Sequence, residues 1–528
     1  MAGGELWSVA ASPVITIALD KVATLMEANS KSQWSNQKQQ FEAGYSIRAL
    51  LGNSLLYSAS DISLRLIGLF LVPLYTWVLT PADYGIIAFT TAMSQILSPV
   101  VGLGLVNSLP PLYHAYPGRE RGRLISSVIN FTVLYGFFWA VVLTAVGRPL
   151  VAAVSSEVPF SPYIVLAIWT LFFSSLYYLP LGIFNMQERP WAYTAYSVGL
   201  SLLNVLCNIL LVLIFRLGAA GALWANLLAS AIGMGIALIL IRGEYIPVLD
   251  RTKLGAALGF ALPALPHLFT GTLWRFMDRF FLAGMADLTA TGIYSVAVTI
   301  SSVLLIVMGG ATSALNPFFY RRAHERDPGL PADWARLCRL FGFGAIWAAL
   351  GLAFLGPDLV RFLISPTYHG ASHFLNILIL AQLLTVLYWI VAPGINLSRK
   401  TWVYPLSSFP AAVLNVFLNM YLIPRYGPIG AGWAMVASSA IQLAVFAAFS
   451  QHFFPIPYEW PRLGRLVVVG IGVFLLGQFL PFENVLTVFL SKLLLLLLFP
   501  ALLLGVRFFS QKEIEGLKKF MVERWLGP

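Results

Sequence analysis

Fourteen apolar runs follow one another along the chain with short breaks between them, each long enough to cross about 30 Å of hydrocarbon as a helix. They lie near residues 50–79, 84–110, 124–147, 161–184, 191–215, 219–241, 254–283, 290–316, 335–356, 371–395, 402–423, 428–450, 463–481 and 484–507. So many runs exclude a single soluble core. The composition agrees, since 59% of the 528 residues are hydrophobic and only 10% are charged, against about 25% charged in soluble domains. The fold class expected is an all-α polytopic membrane protein with about fourteen transmembrane helices.

The basic residues orient it. One set of segments comprises residues 1–48, the loops near 111–123, 185–190, 242–253, 317–339, 396–401 and 451–465, and the tail from Arg507. It holds 25 of the 33 lysines and arginines. The alternate loops hold four: Arg148, Arg216, Arg361 and Arg425. Arg65, Arg275, Arg279 and Lys492 fall inside spans. By the positive-inside rule both termini are expected in the cytoplasm. The same bias accounts for the net charge of +11 without nucleic acid, which is not expected as a partner. Membrane lipids are. Residues 1–48 lack the order of a cleavable signal peptide, and Ser510–Gly527 has the spacing of an interfacial helix. Cys207 and Cys338 are not expected to pair.

The chain also resembles itself. "YGIIAFTTAMSQ" returns as "TGIYSVAVTISS", so Gly85 matches Gly292, and Pro110 and Tyr113 match Pro317 and Tyr320. Asn204 and Asn208 answer Asn415 and Asn419, and Gly218, Gly221 and Trp224 answer Gly427, Gly430 and Trp433. Each repeat spans six helices, an even number, so the two are parallel and related by an axis along the membrane normal, as in transporters with a central site. The expected division is a cytoplasmic extension (1–48), a first lobe (49–241), a connecting loop (242–253), a second lobe (254–450), two further helices (451–507) and an amphipathic tail (508–528).

Charges inside spans point to a site. "LWRFMDRFFLAG" in the seventh span carries Arg275, Asp278 and Arg279, and the equivalent first span carries Asp61 and Arg65 four residues apart. A charge at mid-span costs about 2.5–3.5 kcal/mol on insertion scales and usually faces a cavity or a partner. Two readings compete. In one, the groups are intrahelical ion pairs that fix packing. In the other, three arginines against two aspartates leave positive charge in a watery vestibule. Arginine binds phosphate through a planar fork, so the cavity would suit an anionic headgroup whose lipid tail stays in the bilayer. Pro263 and Pro266, followed by His267, should kink the seventh helix and are candidates for gating. Asn204 and Asn415 are candidates for bonding sugar hydroxyls, with interhelical hydrogen bonding as the competing reading. His369 and His373 lack a third ligand, so no metal is expected. No phosphate-binding loop and no H-E-x-x-H motif occurs, so neither ATP hydrolysis nor enzymatic chemistry is expected.

"LVPLYTWVLTPADYGIIAF" (Leu71–Phe89), "MDRFFLAGMADLTATGIYSVA" (Met277–Ala297) and the paired halves resemble the polysaccharide transporter (Wzx-like) branch of the multidrug/oligosaccharidyl-lipid/polysaccharide flippase superfamily. The resemblance covers roughly residues 45–450. It implies movement of undecaprenyl-pyrophosphate-linked oligosaccharides between leaflets of the bacterial inner membrane by alternating access, alongside the polysaccharide polymerase machinery. It also implies a cationic cavity built by Arg65, Arg275 and Arg279, with Asp61 or Asp278 to couple protons or sodium and no other cofactor. Lipid II export, a cation-coupled drug antiporter and a membrane glycosyltransferase or ligase are the alternatives.

Overall fold

The computed structural model describes residues 68–515 except 114, 156, 326, 399, 401, 480–484, 512 and 514, all within the unit Ser60–Pro528. Thirteen described helices are long and apolar enough to cross a membrane. They are α2 (Pro81–Gly102), α3 (Arg119–Val154), α4 (Phe160–Met186), α5 (Pro190–Ile214), α6 (Gly218–Ile241), α7 (Arg251–Met285), α8 (Leu288–Ser313), α9 (Leu330–Leu363), α10 (Pro366–Leu397), α11 (Val403–Tyr426), α12 (Pro428–Phe453), α13 (Trp460–Gln478) and α14 (Thr487–Gly505). They correspond to the second to fourteenth predicted spans. A shorter apolar helix, α1 (Gly68–Val78), is the described end of the first. The chain is an all-α multi-pass membrane protein.

Local sequence sets the helix ends. Thr80 and Asp83 form a capping box before α2, with Pro81 as the first helical residue. At the repeat-equivalent position Asp287 caps α8, its carboxylate accepting from the Ala290 amide at 2.6 Å. Asp250 caps α7 in the same way. Several helices overrun the apolar windows. The predicted 317–339 loop is largely helical, because Val303–His324 and Leu330–Leu363 extend into it from both sides. A helix ends where its cap or turn chemistry ends it, and apolar length marks only the part within hydrocarbon.

Large apolar side chains on the outside, among them Phe70, Leu134, Phe417 and Val468, are exposed, as a lipid-facing surface requires. The last two helices dock on α9. Phe343 stacks on Phe499 with ring planes 4° apart, and the Trp347 indole donates to the Leu496 carbonyl at 2.9 Å. Lys492, one of the cations inside a span, pairs with Asp358 of α9 at 2.7 Å. Beyond the spans, the buried Arg339 holds Glu459, Glu513 and the Phe508 carbonyl.

Candidate functional site

The two halves of the repeat meet most tightly at the end opposite the basic segments. There α2 and α8 start side by side and cross at Gly85 and Gly292. A Cβ on Gly85 would lie 2.0 Å from the Leu288 carbonyl oxygen, and one on Gly292 would lie 1.9 Å from that of Pro81. Only glycine permits either approach. Each half then clasps the other's turn. The α1–α2 turn is held by the end of α9 and the start of α10, through Trp77 Nε1 to the Leu363 carbonyl at 3.1 Å and Tyr368 Oη to the Leu79 carbonyl at 3.0 Å. The α7–α8 turn is held by the segment after α3, through Ser155 Oγ to the Ala283 carbonyl at 3.0 Å and the Leu288 amide to Glu157 at 3.3 Å.

Just inside this seal lies the charged group of α7. Asp278 and Arg279 are both buried. Asp278 Oδ1 accepts from the Arg279 amide at 2.9 Å and from Arg279 Nη1 at 3.0 Å, while its Oδ2 accepts from Tyr294 Oη on α8 at 2.7 Å. Arg279 Nη1 also donates to the Arg275 carbonyl at 2.6 Å. Within this pair the structural reading holds, because the arginine and the aspartate neutralise one another and tie α7 to α8. Arg275 differs. One turn nearer the middle of α7, it is exposed. Asp61 and Arg65 lie outside the described residues.

The two asparagine pairs share a local geometry and differ in surroundings. Asn208 Nδ2 donates to the Asn204 carbonyl and side-chain oxygens at 2.9 and 3.0 Å, and Asn419 Nδ2 does the same to Asn415 at 2.9 and 2.8 Å. Asn204 then bonds Asn226 of α6 at 2.8 Å and borders a cavity of about 440 Å³ inside the first half. Asn415 is fully buried.

α7 is shared between the halves. Its first turns, with Ala257 and Ala261, pack in a core with Leu103, Leu109 and Leu124 of the first half. Its last turns pack on the second half, where Leu282 joins Tyr294 and Leu375. The prolines fall between. The helix runs as one element from Arg251 to Met285, with Pro263 and Pro266 inside it. Just beyond them Thr270 Oγ1 bonds the Pro266 carbonyl at 2.9 Å and lies 3.2 Å from Ser408 Oγ of α11, while His267 packs edge-on to Tyr404. His369 Nε2 lies 3.2 Å from the Ile364 carbonyl.

The sequence reading missed the cavity-lining residues of α2, α4 and α6 and the role of Tyr294. A signal for the first was present. Thr90, Thr91, Ser94, Gln95 and Ser98 recur at helical spacing within one apolar run, as Asn226 and Ser230 do on α6. Tyr294 carries no such signal, since its partner lies across a turn on another helix.

The profile of a family described as polysaccharide biosynthesis protein matches residues 76–373, more than half of the chain. The Lsg locus putative protein 1 of Haemophilus influenzae is 19% identical over 392 residues, which cover 72% of this chain and 94% of that protein. Among solved structures, the chain is similar to the lipid II flippase MurJ in an inward closed conformation, with a TM-score of 0.70 at 16% identity over 85% of this chain and 98% of that one. It is similar also to a multidrug resistance MATE family transporter of the MOP superfamily in an inward-facing conformation, with a TM-score of 0.54 at 15% identity over 78% and 95%. At these identities the likeness to both structures is one of fold.

Proposed function

The chain belongs to the polysaccharide biosynthesis protein family, and from that premise we propose that it is a flippase, not an enzyme. It carries polyprenyl-pyrophosphate-linked oligosaccharide units across the bacterial inner membrane for surface or exopolysaccharide assembly. Both termini and the basic segments face the cytoplasm, so the glycine crossing seals the outer side. The six-helix lobes, 49–241 and 254–450, rock about a central cavity, with α7 bending at Pro263 and Pro266, where two backbone hydrogen bonds are missing.

The exposed Arg275 carries this reading. An arginine at span depth costs too much to face hydrocarbon, so it turns toward the interior of the bundle, where its fork suits a pyrophosphate. Arg65 is proposed as its counterpart in the first lobe. Arg279 contributes through Asp278 and Tyr294 by fixing the face that presents Arg275. Asp278, or Asp61, is the carboxylate available to couple a proton or a sodium ion.

The test is to delete the gene and assay lipid-linked saccharides on each leaflet. The reading expects an intermediate trapped on the cytoplasmic leaflet and loss of surface polymer, restored by the wild-type chain and not by Arg275→Ala at equal abundance. Normal intermediates and normal polymer would refute it. Export of a peptidoglycan precursor is the second reading, favoured by the fold likeness to the lipid II flippase; accumulation of that lipid in the deletion strain would select it.

A further inference from the structure

The described lining of the cavity inside the first half is not assigned a role by the function proposed above. The cavity is enclosed by α1, α2, α4, α5 and α6 and measures about 440 Å³, within the range of small-molecule sites. Thirteen of its twenty described lining residues carry a hydroxyl or an amide, and none of those described is charged. A lipid tail would want an apolar wall, and an ionic ligand would want a counter-charge. The described lining mixes leucine and alanine with these polar groups and carries no counter-charge. Hydroxyls and carboxamides both donate and accept, which matches a ligand whose own groups do both.

Some of these polar groups are also available. Among the described residues, the side chains of Ser94, Gln95, Ser98 and Ser230 make no hydrogen bond to a neighbour, while Thr90, Thr170, Ser174 and Ser201 of the same wall bond their own helix. Tyr177 and Tyr178 add ring faces to the same wall. The α2 residues involved sit midway between Pro81 and Gly102, near the middle of the bilayer, where uncommitted polar side chains are expensive. Asn204 faces this space through Asn226, while its repeat equivalent Asn415 is fully buried. The polar room is built in the first half and filled in at the equivalent asparagine of the second.

We infer that this cavity is a saccharide subsite, taking one or two uncharged sugar rings of the cargo while the pyrophosphate is held elsewhere. The inference rests on the flippase reading and adds a neutral-sugar determinant to it. Gln95, Ser98, Asn226 and Ser230 bond the ring hydroxyls, and the shape of this cavity selects which repeat unit is carried.

The experiment uses the full-length chain. In the deletion strain, Gln95→Leu and Asn226→Leu should each cut surface polymer at least tenfold at wild-type membrane abundance, with Gln95→Asn recovering part of it. In parallel, Ser98→Cys, placed in a Cys207→Ser and Cys338→Ser background and reconstituted in lipid nanodiscs, is labelled with a maleimide. The probe is the saccharide released by mild acid from the lipid that accumulates in the deletion strain. It should slow labelling at least threefold, inorganic pyrophosphate should not, and Asn226→Leu should abolish the protection. Wild-type export by both leucine variants, or labelling indifferent to the saccharide, overturns the subsite and leaves the flippase standing. A deletion strain with no trapped lipid and normal polymer removes the flippase reading, and this inference with it.

Discussion

At Asp278 a carboxylate with 2% of its surface exposed accepts three hydrogen bonds, two from Arg279 and one from Tyr294. Removing it leaves a buried guanidinium without a counter-charge, which typically costs about 3–5 kcal/mol. Asp278→Ala should therefore lower the thermal midpoint and the membrane abundance, and Asp278→Asn, which still offers Tyr294 an acceptor, should do so less. Arg275→Ala should behave oppositely. Its side chain is exposed, so its removal should cost less stability than that of Asp278 while export fails. Equal destabilisation by the two alanine variants would return Arg275 to a structural role. The sequence placed all three charges on one helix, because apolar neighbours make a charge conspicuous. It did not sort them, because burial and the Tyr294 contact depend on a second helix.

Between elements, the crossing of α2 with α8 and the docking of α13 and α14 on α9 make two separate predictions. A side chain at Gly85 or Gly292 would meet a backbone carbonyl at about 2 Å, which no rotamer change relieves. Overpacking of this kind costs about 1–3 kcal/mol even where neighbours yield. Gly85→Val and Gly292→Val should hold the two halves apart. A cysteine placed at Thr80 in a chain lacking Cys207 and Cys338 should then react faster with an impermeant maleimide added from outside, and export should fall. Unchanged labelling would mean that the crossing is not the outer seal. At the other end of the bundle, burial raises the Glu513 carboxyl, but the Ser510 amide, Arg339 and Arg336 outweigh it and lower the group to about 2 from its ordinary 4.5. A depressed acid stabilises fully above its unfolded value and loses that contribution as pH falls through the folded one. The gap in thermal midpoint between wild type and Glu513→Gln should be constant from neutral pH to about pH 5 and close as pH falls toward about 2. A gap that does not vary over that window would count against the ion cluster. Helix number and order were legible because hydrocarbon thickness sets a length that a sequence displays. The Gly85–Gly292 pair was visible only as a repeat match, since nothing local says that two matching glycines touch.

Over the whole molecule, the connection between the halves determines where movement can occur. The 242–250 segment is laid along the start of α3. The Ile246 amide donates to Ser126 Oγ at 2.7 Å and the Asp250 amide to Ser127 Oγ at 2.8 Å, Lys253 pairs with Glu120 at 2.9 Å, and Gln187 donates to Glu244 at 2.6 Å. A Cβ on Gly122 would lie 2.8 Å from the Glu244 carbonyl, so the strap is seated closely. It is therefore part of the first half, and so are the first turns of α7 that follow it. The hinge between the halves cannot be this linker. It must lie within α7, between Ala261 in the first core and Leu282 in the second, and Pro263 and Pro266 are the residues there that remove backbone hydrogen bonds. Replacing both by alanine restores two amide donors and a stiffer helix. The double variant Pro263→Ala/Pro266→Ala should gain thermal stability and lose export, while remaining folded and membrane-inserted. Export at the wild-type rate from a stiffer α7 would mean that the halves move about some other axis. The sequence named these prolines because proline is conspicuous in a helix. What it did not display is the packing along that helix, because the contacts of Thr270 with Ser408 and of His267 with Tyr404 of α11 depend on a second helix.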